Sequence, residues 1–142
     1  MKKIVLTLLL AIFVHTNVAA QDIFDIAREA VSAQSRQSAK ITFQNKSDYV
    51  MTVKVLGFYG GLYRTVTLSA QSSSTVYFKS TATYKLKIKA QKGRYISYHK
   101  GGSFTVTCTP TEWTEGTMTF TLSSYGTGLG PTISKQEFEN NN

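Results

Sequence analysis

From Lys40 to about Ser123 apolar and polar residues alternate with a period of two, the spacing that puts side chains of a strand on one face. Ile41 and Phe43 open the series, and Met51, Val53 and Val55 then alternate with Thr52 and Lys54. Leu62, Val66 and Leu68 share a face that Arg64 interrupts, and Val76 and Phe78 follow. The clearest stretch sets Tyr84, Leu86, Ile88 and Ala90 inward against Lys85, Lys87 and Lys89 outward. Tyr95 to His99, Phe104 to Cys108 and Met118 to Leu122 complete about eight strands. Turn signals separate the runs at Gly57 to Gly61, Ser69 to Ser73, Lys92-Gly93, Gly101-Gly102 and Pro110 to Gly116.

Connections this short join antiparallel neighbours, because a parallel pair needs a long crossover. One apolar face per sheet must find cover. The pattern therefore predicts an all-β, antiparallel two-sheet sandwich of immunoglobulin-like shape, with a small barrel as the alternative. The Cys pair and Trp spacing of a true immunoglobulin domain are missing.

Helical spacing appears only at the two ends. Ile23, Phe24, Ala27, Ala30 and Val31 recur as on one helix face, with Asp22 as a cap and Asp25 and Glu29 in the early turns. At the other end Ser134 and Glu137 have capping-box spacing, and Ile133 and Phe138 the matching hydrophobic staple. Short N- and C-terminal helices are thus expected. Lys2 and Lys3 before the apolar run Ile4 to Val14, closed by Val18-Ala19-Ala20, form the pattern of a secretory leader cut after Ala20. That run is too short to span roughly 30 Å of hydrocarbon, and no later segment would span it as a helix. The expected organisation is a signal peptide over 1–20, helix and linker over 21–38, the sandwich over 39–123, and a Gly-rich linker with a short helix over 124–142. Localisation is expected to be exported, either periplasmic or secreted.

Export usually permits disulfides, yet Cys108 is the single cysteine, so stability rests on the core. Within Phe104 to Cys108 the thiol shares a face with Phe104 and Val106 and is expected to behave as a small buried hydrophobe. Charge changes the picture more. Removal of Lys2 and Lys3 from the 16 basic residues leaves 14 against 8 acidic ones. No Asp or Glu occurs between Tyr49 and Thr111, whereas Lys54, Arg64, Lys79, Lys85, Lys87, Lys89, Lys92, Arg94 and Lys100 all do.

Lys85, Lys87 and Lys89 would project about 7 Å apart from one strand face and concentrate positive potential there. Such a row also blocks sheet-to-sheet aggregation and needs no ligand for that. Aromatic residues accompany it: Tyr95 and Tyr98 bracket a basic strand, Tyr59 and Tyr63 flank a Gly-rich turn, and Trp113 sits in a Pro/Gly-bounded loop. The candidate ligand-binding residues are Lys85, Lys87, Lys89, Lys92, Arg94, Tyr95, Tyr98 and Trp113. The competing reading makes the tyrosines ordinary strand residues and Trp113 a plug at one end of the sandwich.

No enzyme, metal site or cofactor is expected. Glycoside hydrolysis wants two carboxylates on one cleft; the strand body has none, and Glu112 and Glu115 are the only close acidic pair in a loop, where they are expected to solvate a turn. His99 is the one histidine outside the leader, which precludes a multi-histidine metal centre within one chain. Nucleic acid is not an expected partner of an exported chain without an RNA-recognition signature.

Ile41 to Leu56, Tyr84-Lys-Leu-Lys-Ile-Lys-Ala90, Gly102-Ser-Phe-Thr-Val106 and Thr117 to Thr121 give the strand body a layout that resembles small uncharacterised secreted β-sandwich proteins of Bacteroidota-type bacteria. The resemblance implies an exported sandwich and assigns no functional residue. The sequence as a whole leads to a non-catalytic exported binding module for an anionic glycan, envelope surface or partner protein. The alternative is a structural or assembly protein of the envelope that docks through its terminal helix or a strand edge.

Overall fold

The computed structural model describes residues 2–4, 38–123 and 126–142. The expected leader, apart from Lys2–Ile4, and the expected helix of 21–38, apart from its last residue, lie outside the described residues. The strands are β1 (Lys2–Ile4), β2 (Ala39–Asn45), β3 (Val50–Gly57), β4 (Leu62–Leu68), β5 (Ser73–Phe78) and β6 (Ala82–Lys92). They continue with β7 (Tyr95–Val106), β8 (Glu112–Phe120), β9 (Leu122–Ser123) and β10 (Gly126–Thr127), before one helical turn, α1 (Lys135–Glu139). One sheet has the order β1-β8-β2-β5, the other β4-β3-β6-β7, and β9 pairs with β10.

The described residues are mostly β, with two main sheets in a sandwich-like arrangement. Immunoglobulin domains put strands A, B, E and D in one sheet and C, F and G in the other. Here β3 and β4 are partners within a sheet that also holds β6 and β7, which is a different division.

By compactness the chain divides into two units. The larger comprises Ile41–Val76, Ala82–Thr105 and Thr117–Asn142. Its interior is the face that alternation marks: Met51, Val53 and Val55 of β3 and Leu86, Ile88 and Ala90 of β6 are all buried. Phe43 of β2 stacks on Phe120 of β8 at 5.8 Å and meets Phe104 of β7 edge-on at 6.3 Å, while Phe104 stacks on Tyr84 of β6. Rings from both sheets thus share one apolar layer. Buried Asn45 closes the corner after β2. Its amide donates to the carbonyls of Tyr49, Leu68 and Ser69, and its oxygen accepts from Ser47.

The smaller unit comprises Met1–Lys40, Tyr77–Thr81 and Val106–Gly116, and Ala39, Phe78, Val106 and Trp113 are buried in it. Trp113 is a strand residue of β8 rather than part of a loop, because pairing begins at Glu112 as soon as Thr109 closes the turn onto the Glu112 carbonyl. Cys108 is half-buried and follows β7 instead of ending it, with its N–H bound to Thr81 Oγ1.

β7 also corrects the expected break at Gly101-Gly102, since it runs unbroken through both glycines. A Cβ at Gly101 would lie 2.8 Å from Leu86 Cβ, so the residue permits close approach of β6 rather than a turn. The free edge of β7 is covered by the segment after Leu129. Lys100 N–H donates to the Pro131 carbonyl and Ile133 N–H to the Tyr98 carbonyl, with His99 bridged to Thr132. Gly130, at φ 93°, makes the entry possible, because any Cβ there would collide with the Lys100 carbonyl.

Gly130→Ala should therefore destabilise the protein by about 1–3 kcal/mol in urea unfolding, through strain at this one position. Hydrogen exchange at the Lys100 and Ile133 amides should accelerate more than at Val53 or Ile88. Equal acceleration throughout would show that the segment after Leu129 is not a separately opening element.

Candidate functional site

β3 and β6 pair in a register that places Lys54 directly opposite Lys87 on the outward face. Two like charges at such a position repel. Both side chains are nevertheless drawn inward by the chain end that lies over them. Lys87 Nζ donates to the carbonyls of Glu137 at 2.7 Å, Asn140 at 2.6 Å and Asn142 at 3.4 Å. Lys54 Nζ donates to the carbonyls of Phe138 and Glu139 and to Asn141 Oδ1, and it sits 4.9 Å from the centre of the Phe138 ring.

The reason lies in helix ends. The last carbonyls of a helix lack intrahelical donors, and α1 has no basic residue in its last turn. The two sheet lysines supply the missing N–H groups from below. Ser134 caps the other end by accepting from Glu137 N–H at 3.0 Å. Phe138 is buried against the sheet and meets Tyr98 at 5.2 Å, and Gly61 N–H fastens the tail through the Asn141 carbonyl at 2.7 Å. The chain end is thus a strap from the edge of β7 to the β3–β4 turn.

This strap divides the expected lysine row. Lys87 is 6% exposed and already saturated, so it is a buried structural cation, contrary to the wet position that alternation assigns it. Lys85 and Lys89 remain half-buried on either side. Lys85, Lys87 and Lys100 line a cavity of about 270 Å³, with Glu137, Asn140 and Asn142 of the strap as the opposite wall. Burial pushes the Lys87 ammonium below the ordinary lysine value; Glu137 opposes this, and Lys85, Lys54 and Lys100 add to it.

A second cavity, of about 500 Å³, opens where β3 turns into β4 and β6 begins. It is lined from Gly57 to Gly60 and from Ala82 to Tyr84. Gly57 N–H binds the Gly61 carbonyl and Gly60 N–H binds the Gly57 carbonyl, which holds Phe58 and Tyr59 at the tip. Tyr59 is 98% exposed and Phe58 48%, with the rings edge-on at 5.1 Å. Tyr63 lies 5.1 Å from Tyr84, whose phenol burial and the neighbouring Tyr63 hold above its usual value. The two cavities adjoin through the strap: Asn142 lines the lysine cavity and lies against Gly60 of the aromatic one.

The other expected residues lie elsewhere. Lys92, Arg94 and Tyr95 are exposed at the β6–β7 turn, at the opposite end of β6 from the aromatic cavity. Lys92 pairs there with Asp48 at 3.9 Å and sits over the Tyr49 ring, while Tyr95 meets Tyr49 edge-on. Tyr98 is a packing partner of Phe138. Trp113 is buried in the smaller unit and donates its indole N–H to Glu115 Oε1, which also pairs with Lys40. His99 is a mid-strand residue rather than a strand-end one, and its ring bonds the Gly130 carbonyl and Ser97 Oγ. Phe58, Lys54 and Lys100 were not among the expected ligand residues. The glycines around Phe58 were the local signal for the first, whereas the two lysines join the site only through pairing.

Among the described residues, no helix is long and apolar enough to cross a membrane, which says nothing of a β-barrel, and no cluster of His, Cys, Asp or Glu could hold a metal ion. Comparison with protein-family models, curated proteins and solved structures returns no match.

Lys87→Met removes the donor to three carbonyls and should cost about 1–3 kcal/mol in chemical denaturation at neutral pH. Because the folded ammonium loses its proton more easily than the unfolded one, the unfolded chain binds more protons just below the ordinary lysine value of 10.5. The stability difference between native protein and Lys87→Met should therefore grow as pH rises through that window. A difference that shrinks there would contradict the burial of this charge.

Proposed function

We propose that the chain is an exported, non-catalytic module that binds a glycan at the cell envelope, with the aromatic cavity of the β3–β4 turn as its contact surface. The observation that carries this reading is the fully exposed Tyr59 beside half-exposed Phe58, both held by a hydrogen-bonded glycine turn next to an open cavity. Large rings left in water by a folded chain invite a partner that covers them. A pyranose ring has a flat patch of C–H bonds, which releases water from an aromatic face while its hydroxyls remain available to polar groups.

The cavity lining supports binding over catalysis. Between Gly57 and Gly60 and between Ala82 and Tyr84 the polar side chains are a threonine and tyrosine phenols, whereas acid–base hydrolysis of a glycoside uses two carboxylates. Export is supported by the basic, apolar and small-residue pattern of residues 1–20. The alternative of docking through the terminal helix is less well supported, because its one large apolar side chain, Phe138, is already covered by the chain's own sheet.

Affinity electrophoresis through gels containing acidic or neutral polysaccharides tests the reading. At least one polysaccharide should retard the protein, and Phe58→Ala/Tyr59→Ala should weaken that binding about tenfold, with little change in unfolding temperature. Full retention of binding by the double variant would remove the hairpin from the site, and release of shorter oligosaccharides would show an enzyme.

A further inference from the structure

We propose that the cavity bounded by Lys85, Lys87 and Lys100 is an anion site that takes a single sulfate or phosphate group. The site has three parts with different tasks. Lys87 is a fixed charge, because all three of its ammonium hydrogens are committed to the carbonyls of Glu137, Asn140 and Asn142. The carbonyls of Glu137 and Asn140, the two nearer acceptors, orient the ammonium and carry no full negative charge. Lys85 and Lys100 are the donors, since neither has an ion-pair partner among the described residues.

The side-chain charge is unbalanced. Lys54, directly opposite Lys87, brings a fourth cation to this face and is likewise held by oxygens of the strap that are neutral. Glu137 is the one acidic side chain lining the cavity, and it is exposed to water. An anion between Lys85 and Lys100 would offset the positive side-chain charge that the four lysines bring to this face. The repulsion already registers in Lys87, whose ammonium Lys85, Lys54 and Lys100 each disfavour.

Size limits the ligand. At about 270 Å³ the cavity is smaller than the roughly 300–1,000 Å³ of sites that enclose a drug-sized molecule and has room for one sulfate or phosphate group. Lys and Arg are the usual partners of sulfate and phosphate oxygens. Because the strap supplies one wall and also touches the aromatic cavity at Gly60, an acidic substituent could sit here while its sugar covers Tyr59. That last step rests on the glycan reading above; the anion site itself does not.

Backbone amide shifts of the full chain, followed by NMR during titration with sodium sulfate or sodium phosphate against sodium chloride of equal ionic strength, test the proposal. Saturating shifts are expected at Leu86, Lys87, Lys100 and Glu137 to Asn142 for at least one of the two anions. Lys85→Gln/Lys100→Gln should weaken binding at least tenfold, and Lys85→Arg should retain it. Linear shifts with no saturation, equal binding by the double Gln variant, or saturation confined to Lys92 and Arg94 would overturn the site. A sulfated or phosphorylated monosaccharide, compared with its unmodified parent, identifies whether the group is read as a sugar substituent. If the inorganic anion binds and no polysaccharide does, the anion site stands and the glycan reading falls. If a polysaccharide binds and neither anion does, the converse holds.

Discussion

Two ammonium groups face each other across β3 and β6, and the organisation of the outward face depends on how that repulsion is resolved. Lys54 and Lys87 stay in place because the last carbonyls of α1 and the residues after it need donors as much as the lysines need acceptors. Each half would be unfavourable alone. A single-turn helix is too short to persist in water by its own propensity, and a lysine 6% exposed is costly without acceptors.

The strap links this interaction to the rest of the larger unit. It enters at Gly130, extends the sheet beyond β7, covers the lysine pair and ends against the β3–β4 turn. Its position converts an evenly charged strand face into a cavity with three lysines and leaves the aromatic turn standing beside it. A flat, wet lysine row would have repelled neighbours and attracted anions without selection. The strap instead sets Glu137, Asn140 and Asn142 as a wall against Lys85, Lys87 and Lys100.

Much of the sheet structure was legible because alternation is a local property. Tyr84, Leu86, Ile88 and Ala90 are buried as their spacing requires, and so are Met51, Val53 and Val55. The same local rule misplaced residues whose surroundings come from far along the chain. Lys87 alternates as a wet residue and is buried by a segment some fifty positions later. Gly101 reads as a turn, yet its missing side chain serves packing against Leu86. Trp113 reads as a loop residue because Pro110 and Gly116 bracket it, although β8 begins between them.

The sequence by itself determined which faces of the strands shed water, where Ser134 would cap a helical turn, and that positive charge would gather between Tyr49 and Thr111. These follow from spacing and composition, which need no knowledge of distant partners. The tertiary structure alone decided which lysines are available, since availability depends on register across β3 and β6 and on where the last residues of the chain settle. Desolvation and carbonyl contact are properties of a neighbourhood, and a neighbourhood assembled from segments far apart in the chain has no local signature.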